Sequence, residues 1–299
     1  MRRDTVPPHA RLRIASRILI VAALVSSIAG CVGRAGNRQV DAPNTSVLAI
    51  RYGTLSGFPV SALIRGADTS RRLDLALMFW LVRRPDGRLV LMDAGFYRDK
   101  FLRRWKPLDF VLPSMAVRLA GVKAEDVTDI IISHVHWDHL DGADLFPNAL
   151  IWIQRDEYAH HVGDDGGVLD RAVDSLDAVM LASLEHAGRV QLLEGDDQEI
   201  MPGIRVYTGG KHTYASQFAT VQTADGTIVL ASDNAYLYEN LDQRRPIAQT
   251  LDSLSNLRAL ERMRTLASSP RLIVPGHDPE VFVRFAAKGE SASKVVQIK

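Results

Sequence analysis

Cysteine is almost missing from this chain, with one in 299 residues, Cys31. A single thiol excludes any disulfide within the chain and any zinc site built from several thiolates. Long apolar runs are missing too. The longest near the N-terminus, Ile18 to Val25, is too short for a bilayer, which needs about 20 residues. Nor is there an excess of one charge: 36 Lys and Arg stand against 35 Asp and Glu. Five of those arginines and only one acid, Asp4, fall in the first thirty residues, so the body is slightly acidic and offers no reason to expect nucleic-acid binding. What remains is the composition of an ordinary globular protein, 46% hydrophobic and 24% charged, long enough for one large core.

The N-terminus reads as an address. Arg2, Arg3, Arg11, Arg13 and Arg17 precede the apolar run, and small residues follow it, which is the layout of a secretory signal. Ile28-Ala29-Gly30-Cys31 resembles a bacterial lipobox, which implies cleavage before Cys31 and lipidation of its thiol. The expected organisation is therefore a signal peptide over residues 1–30, a Gly-, Asn- and Pro-rich tether over 31–46 and one folded domain over 47–299. The expected location is outside the cytoplasm, in the periplasm or at the cell exterior, with Cys31 holding the chain on a membrane surface. A mature chain starting at Cys31 would keep no free thiol for a metal.

Short apolar runs separated by turn signals predict an α/β domain with much β-structure. Residues 75–83 and 88–92 flank Pro85-Asp86-Gly87, and residues 218–223 and 227–231 flank Asp225-Gly226, so two hairpins are expected. Their second strands echo each other, Leu89-Val90-Leu91-Met92-Asp93 beside Ile228-Val229-Leu230-Ala231-Ser232-Asp233, which suggests a duplicated β-unit. Apolar residues at three- and four-residue intervals predict helices over 169–187 and 251–266.

Four apolar runs each end in a potential ligand: 129–133 before His134, 205–208 before His212, 228–232 before Asp233 and 272–276 before His277. In His134-Val135-His136 the imidazoles are two residues apart, so in extended backbone they face the same way and can share an ion. Asp138 and His139 follow closely enough to reach a second ion, His212 and His277 are natural completions, and Asp233 can bridge with its two oxygens. Imidazole and carboxylate suit zinc, and iron or manganese would accept the same set. His160, His161 and His186 are read as solvated, and the aromatic and basic segment from Phe96 through Trp105 to Phe110 as packing plus solvated charge rather than as a pocket for an apolar chain.

The run His134-x-His136-x-Asp138-His139 meets the signature of the metallo-β-lactamase superfamily, which the chain resembles from about residue 47 to 285. Asp93 in Met92-Asp93-Ala94-Gly95 matches that family's buried structural acid. The resemblance implies an αββα sandwich, two packed mixed β-sheets with helices on the outer faces. It also implies two Zn2+ per chain, the first held by His134, His136 and His212, the second by Asp138, His139 and His277, with Asp233 between them. Gln154-Arg155-Asp156-Glu157-Tyr158, Asp233-Asn234-Ala235-Tyr236 and Gly276-His277-Asp278 are similar to the N-acyl-homoserine lactonases within the superfamily. That likeness implies opening of a lactone by attack of a metal-bridging hydroxide, with Tyr236 beside the substrate carbonyl and Asp138 passing a proton to the leaving alkoxide. Thr213-Tyr214-Ala215-Ser216 departs from the family pattern of a small residue, Pro, Gly and a second His after the ligand at His212. The alternatives are a thioester or other ester hydrolase of the same superfamily, or a metal-binding lipoprotein without catalysis.

Overall fold

The computed structural model describes residues 44–287 and 293–299; the signal, the lipobox and the tether up to residue 43 lie outside the described residues. Twelve strands form two sheets among the described residues: β1 (Ser46–Pro59), β2 (Arg72–Arg83), β3 (Leu89–Met92), β4 (Asp129–Ile131), β5 (Leu150–Gln154), β6 (Val190–Leu193), β7 (Gln198–Met201), β8 (Ile204–Thr208), β9 (Gln217–Thr223), β10 (Gly226–Ser232), β11 (Ile273–Pro275) and β12 (Val295–Ile298). The first sheet has the order β12-β1-β2-β3-β4-β5-β6, the second β11-β10-β9-β8-β7. Both are mixed: β3 to β6 run parallel beside the antiparallel β12-β1-β2-β3, and β11 runs parallel to β10 in a sheet otherwise antiparallel.

The continuous apolar stretch of β2 explains the layering. Ala76, Met78, Trp80 and Val82 face the second sheet, where they meet Val206, Ala219, Val221 and Leu230. Leu75, Leu77, Phe79 and Leu81 point the other way, into a core shared with Ala178, Leu181 and Leu184 of the helix Ser175–His186. Successive strand residues alternate faces, so a strand covered on both sides must be apolar throughout. Each such Leu or Phe removed from water contributes about 1.5–3 kcal/mol. On the far side of the second sheet, Leu260 and Met263 of the helix Ser253–Leu266 close the sandwich. The α/β sandwich expected from the sequence is the observed fold.

Both hairpins form, β2–β3 in one sheet and β9–β10 in the other. Only glycine fits at Gly226, whose φ is +118° and where a Cβ would lie 2.6 Å from the Ser268 side chain. The two expected helices form with later starts. Asp174 accepts from Leu176 N at 3.0 Å and Asp252 from Leu254 N at 2.9 Å, and such caps fix where a helix begins better than apolar spacing does. β1 starts at Ser46, inside the expected tether, and pairs with β12, a C-terminal strand not foreseen.

Candidate metal centre

The ends of β4, β8, β10 and β11 meet at one rim of the sandwich. Past β4 the chain carries His134, bends at Val135 and holds His136 in extended backbone, then passes through one helical turn, Trp137–Leu140, which brings Asp138 and His139 round to the opposite side. His136 Nδ1 lies 3.0 Å from His134 Nε2 and 2.9 Å from His212 Nε2. Asp233 Oδ2 is 3.3 Å from His212 Nε2, while its Oδ1 is 3.3 Å from His139 Nε2 and 2.9 Å from His277 Nε2. Asp138 Oδ2 stands 3.6 Å from His139 Nε2 and 3.7 Å from His277 Nε2. All seven candidate ligands therefore converge, in two groups: His134, His136, His212 and Asp233, and Asp138, His139 and His277. Asp233 touches both.

The rear nitrogens decide what the front ones can do. His212 Nδ1 faces the Gln249 carbonyl at 2.8 Å, His277 Nδ1 the Ala76 carbonyl at 2.9 Å, and His139 Nδ1 the Asp93 carboxylate at 2.8 Å. These oxygens only accept, so each Nδ1 carries a hydrogen and, in the neutral ring, each Nε2 presents a lone pair to the centre. His136 Nδ1 cannot satisfy His134 and His212 at once with one proton. His139 Nε2 and Asp233 Oδ1 are buried with no well-aligned hydrogen-bond partner. Converging buried lone pairs without hydrogens between them fit cations, and the donor set of imidazole and carboxylate fits zinc-class ions.

Electrostatics divide the site in the same way. His134 and His136 titrate well below the usual imidazole range, because burial and the neighbouring imidazoles disfavour a further charge. For His139 and His277 burial pulls downward, but the carboxylates, Asp233 foremost, outweigh it and raise both. Burial would raise Asp233, yet His139 and His277 hold it well below the normal carboxylate range. Without metal, protonated His139 and His277 supply part of the positive charge that Asp233 requires.

Buried side chains hold the ligand loops. Asp93, in left-handed backbone at φ +64°, accepts from Ser133 N at 2.8 Å and Ser232 Oγ at 2.7 Å besides orienting His139. The echoed hairpins thus deliver one acid to each side of His139: Asp93 behind it, Asp233 in front. Glu157 accepts from Val135 N at 3.1 Å, Thr213 Oγ1 at 2.6 Å and Ala215 N at 2.7 Å, tying the loop of His134 and His136 to that of His212. Its clamp was not readable from the sequence, since the three donors lie far along the chain; nor were the carbonyls of Ala76 and Gln249, which any residue could supply. A Cβ at Gly276 would sit 2.8 Å from the Ser232 backbone, so only glycine lets His277 approach Asp233.

Tyr236 lies at the same rim, its hydroxyl 3.4 Å from His212 Nδ1. Burial, then Asp233 and Asp138, push its pKa well above the phenol value, so it remains a hydrogen-bond donor. A cavity of about 160 Å³ opens here, with His136, Asp138, Asp233, Tyr236 and His277 on the polar side and Leu55, Phe58, Leu63, Leu75, Trp105 and Trp137 on the apolar side. The aromatic segment is mainly packing, as expected: Phe96 and Phe101 lie 4.6 and 4.9 Å from Trp137. Trp105 departs from that reading by stacking on Trp137 at 5.3 Å and forming cavity wall. His160 and His186 are exposed as expected, but His161 is not solvated; it is 2% exposed, because residues 162–170 fold back over it, with Leu169 N donating to the His161 carbonyl.

Comparison with known proteins points the same way. The profile of the family described as the metallo-beta-lactamase superfamily matches residues 78–277. An N-acyl homoserine lactonase of Bacillus cereus is 32% identical over 224 residues, covering 70% of this chain and 83% of that protein. The fold superposes, with a TM-score of 0.66 at 21% identity, on an N-acyl homoserine lactone hydrolase with N-hexanoyl-L-homoserine bound at its catalytic metal center, over 82% of this chain and 98% of that one. AidC, described as a dizinc quorum-quenching lactonase, superposes with a TM-score of 0.60 at 15% identity over 80% and 90% of the two chains.

Proposed function

This chain belongs to the metallo-beta-lactamase superfamily, among relatives of the N-acyl homoserine lactonases, and from that premise we propose that it is a dinuclear zinc hydrolase that opens the ring of an N-acyl-homoserine-type lactone. The observation that carries this reading is the meeting of seven metal-ligating side chains around Asp233 on the floor of a cavity whose other wall is apolar. His134, His136 and His212 would hold one cation, Asp138, His139 and His277 the other, and Asp233 would offer one oxygen to each.

When bound, two such cations supply Lewis-acid polarisation of the ester carbonyl and a water deprotonated near neutral pH. The chain's own groups do the rest. Tyr236, kept protonated by burial, donates to the carbonyl oxygen as negative charge develops there. When the ring C–O bond breaks, Asp138 relays the proton of the added hydroxyl to the leaving alkoxide, yielding the open hydroxy acid as its carboxylate. Leu55, Phe58 and the stacked Trp105 and Trp137 take the apolar chain of the substrate and keep water from that side. The resemblance of residues 28–31 to a lipobox supports an exported lipoprotein anchored through Cys31, and the mass of the mature N-terminus tests it.

Purified, zinc-loaded protein assayed on a panel of N-acyl homoserine lactones, simple lactones, thioesters and β-lactams tests the activity. Turnover is expected on the acylated lactones, with base uptake as each ring opens. Turnover of thioesters alone would move the substrate elsewhere in the superfamily.

A further inference from the structure

His161 poses a problem that the hydrolytic site does not answer. It is 2% exposed, yet neither Nδ1 nor Nε2 has a well-aligned hydrogen-bond partner, the nearest being Asp170 Oδ1 at 3.4 Å and Glu157 Oε2 at 3.7 Å. A neutral imidazole carries one donor and one acceptor, and leaving both dry is costly, so a buried ring of this kind calls for an explanation. Its surroundings supply one. Nδ1 lies 3.4 Å from Asp170 Oδ1, and His160, next along the helix, brings a ring nitrogen to the same place; one ligand atom from each of His160, His161 and Asp170 falls within 4.8 Å of the others. Two ligands bound to one zinc at about 2.0–2.1 Å with tetrahedral angles stand roughly 3.3 Å apart, close to the His161–Asp170 separation. His160 is held for the purpose: its ring stacks on Tyr214 at 3.9 Å, with 4° between the planes.

We propose that His160, His161 and Asp170 form a third metal site, for a divalent cation of the zinc class, separate from the hydrolytic pair. Two imidazoles and one carboxylate leave a position for water, completing four ligands without any cysteine. The site lies behind Glu157, whose Oε2 is 3.7 Å from His161 Nε2, and the stack on Tyr214 connects it to the loop that carries His212. An ion here closes residues 162–170 over the helix end and braces the outer side of that loop. Its role is structural, since none of its three ligands reaches the cavity.

Zinc alone, titrated into metal-free full-length protein in competition with a chromophoric chelator, tests the site. Asp170→Asn and His160→Ala each alter an exposed residue outside the hydrolytic machinery, so both variants are expected to fold and to keep the wild-type rate of lactone opening. Each should bind one equivalent of zinc fewer than wild type, and each should lose the last part of the zinc-induced rise in Tm. Equal uptake by wild type and both variants would overturn the proposal, leaving His161 as a buried ring lodged between Glu157 and Asp170 without a metal.

Discussion

Two groups of histidines in one domain are built in opposite ways. At the hydrolytic rim, the rear nitrogens of His139, His212 and His277 are bonded to a carboxylate or a carbonyl, so the front nitrogens are aimed before any ligand arrives. At the end of the helix Arg155–His161, His161 has the same burial and no rear support. The difference separates a centre preorganised for chemistry, where misplacement by an ångström is expensive, from one that an ion must help to shape. It also gives the rim a direction of failure: removing a support should weaken metal binding before it disturbs the fold.

The largest effect is expected from Asp233→Ala, which removes the carboxylate proposed to offer one oxygen to each cation. Zinc content should fall and lactone opening should drop to background, while circular dichroism stays that of the wild type. Retention of both metals would contradict the bridging role. Tyr236→Phe should leave zinc content intact and lower kcat by about 10²-fold, the usual cost of losing one donor to a developing oxyanion. A change in KM alone would assign the hydroxyl to binding instead. Asp93→Ala sharpens the contrast between the two groups, because it removes the carboxylate that His139 Nδ1 donates to and makes the rim resemble the His161 group. Zinc affinity should fall by about 10- to 100-fold in chelator competition. Affinity unchanged would mean that rear support counts for little.

The smallest expected effect is on metal-free protein. His139 and His277 have folded pKa values above the free imidazole value of 6.5, so their contribution is full below that pH and is lost as pH rises through the raised values. His134 and His136 act in the opposite sense, with folded values below 6.5, and penalise the fold as pH falls below it. The urea midpoint of chelator-treated protein should therefore peak near neutral pH and decline on the alkaline side. Zinc should remove the alkaline decline, since the metal replaces the protons.

The site was legible where chemistry is dense in sequence or marked by strand ends. His134 to His139 lie within six positions, and His212, Asp233 and His277 each close an apolar run. The hairpins were legible because Asp-Gly turns have few other uses, and the echo between them foreshadowed Asp93 and Asp233 on either side of His139. Helix starts were misplaced where Asp174 and Asp252 cap them. His161 was misjudged because burial of one helix turn under residues 162–170 leaves no apolar periodicity. Glu157 was visible as part of a motif, but its clamp needs tertiary contacts that no local pattern contains, and β12 is too short and too far from its partner β1 to announce itself.

The central claim is tested most directly by following the opening of an N-acyl homoserine lactone with protein stripped of metal and then returned stepwise to zinc. The account predicts no turnover when stripped and recovery that saturates as the hydrolytic pair fills. Full-rate ring opening by protein verified to be metal-free would contradict it.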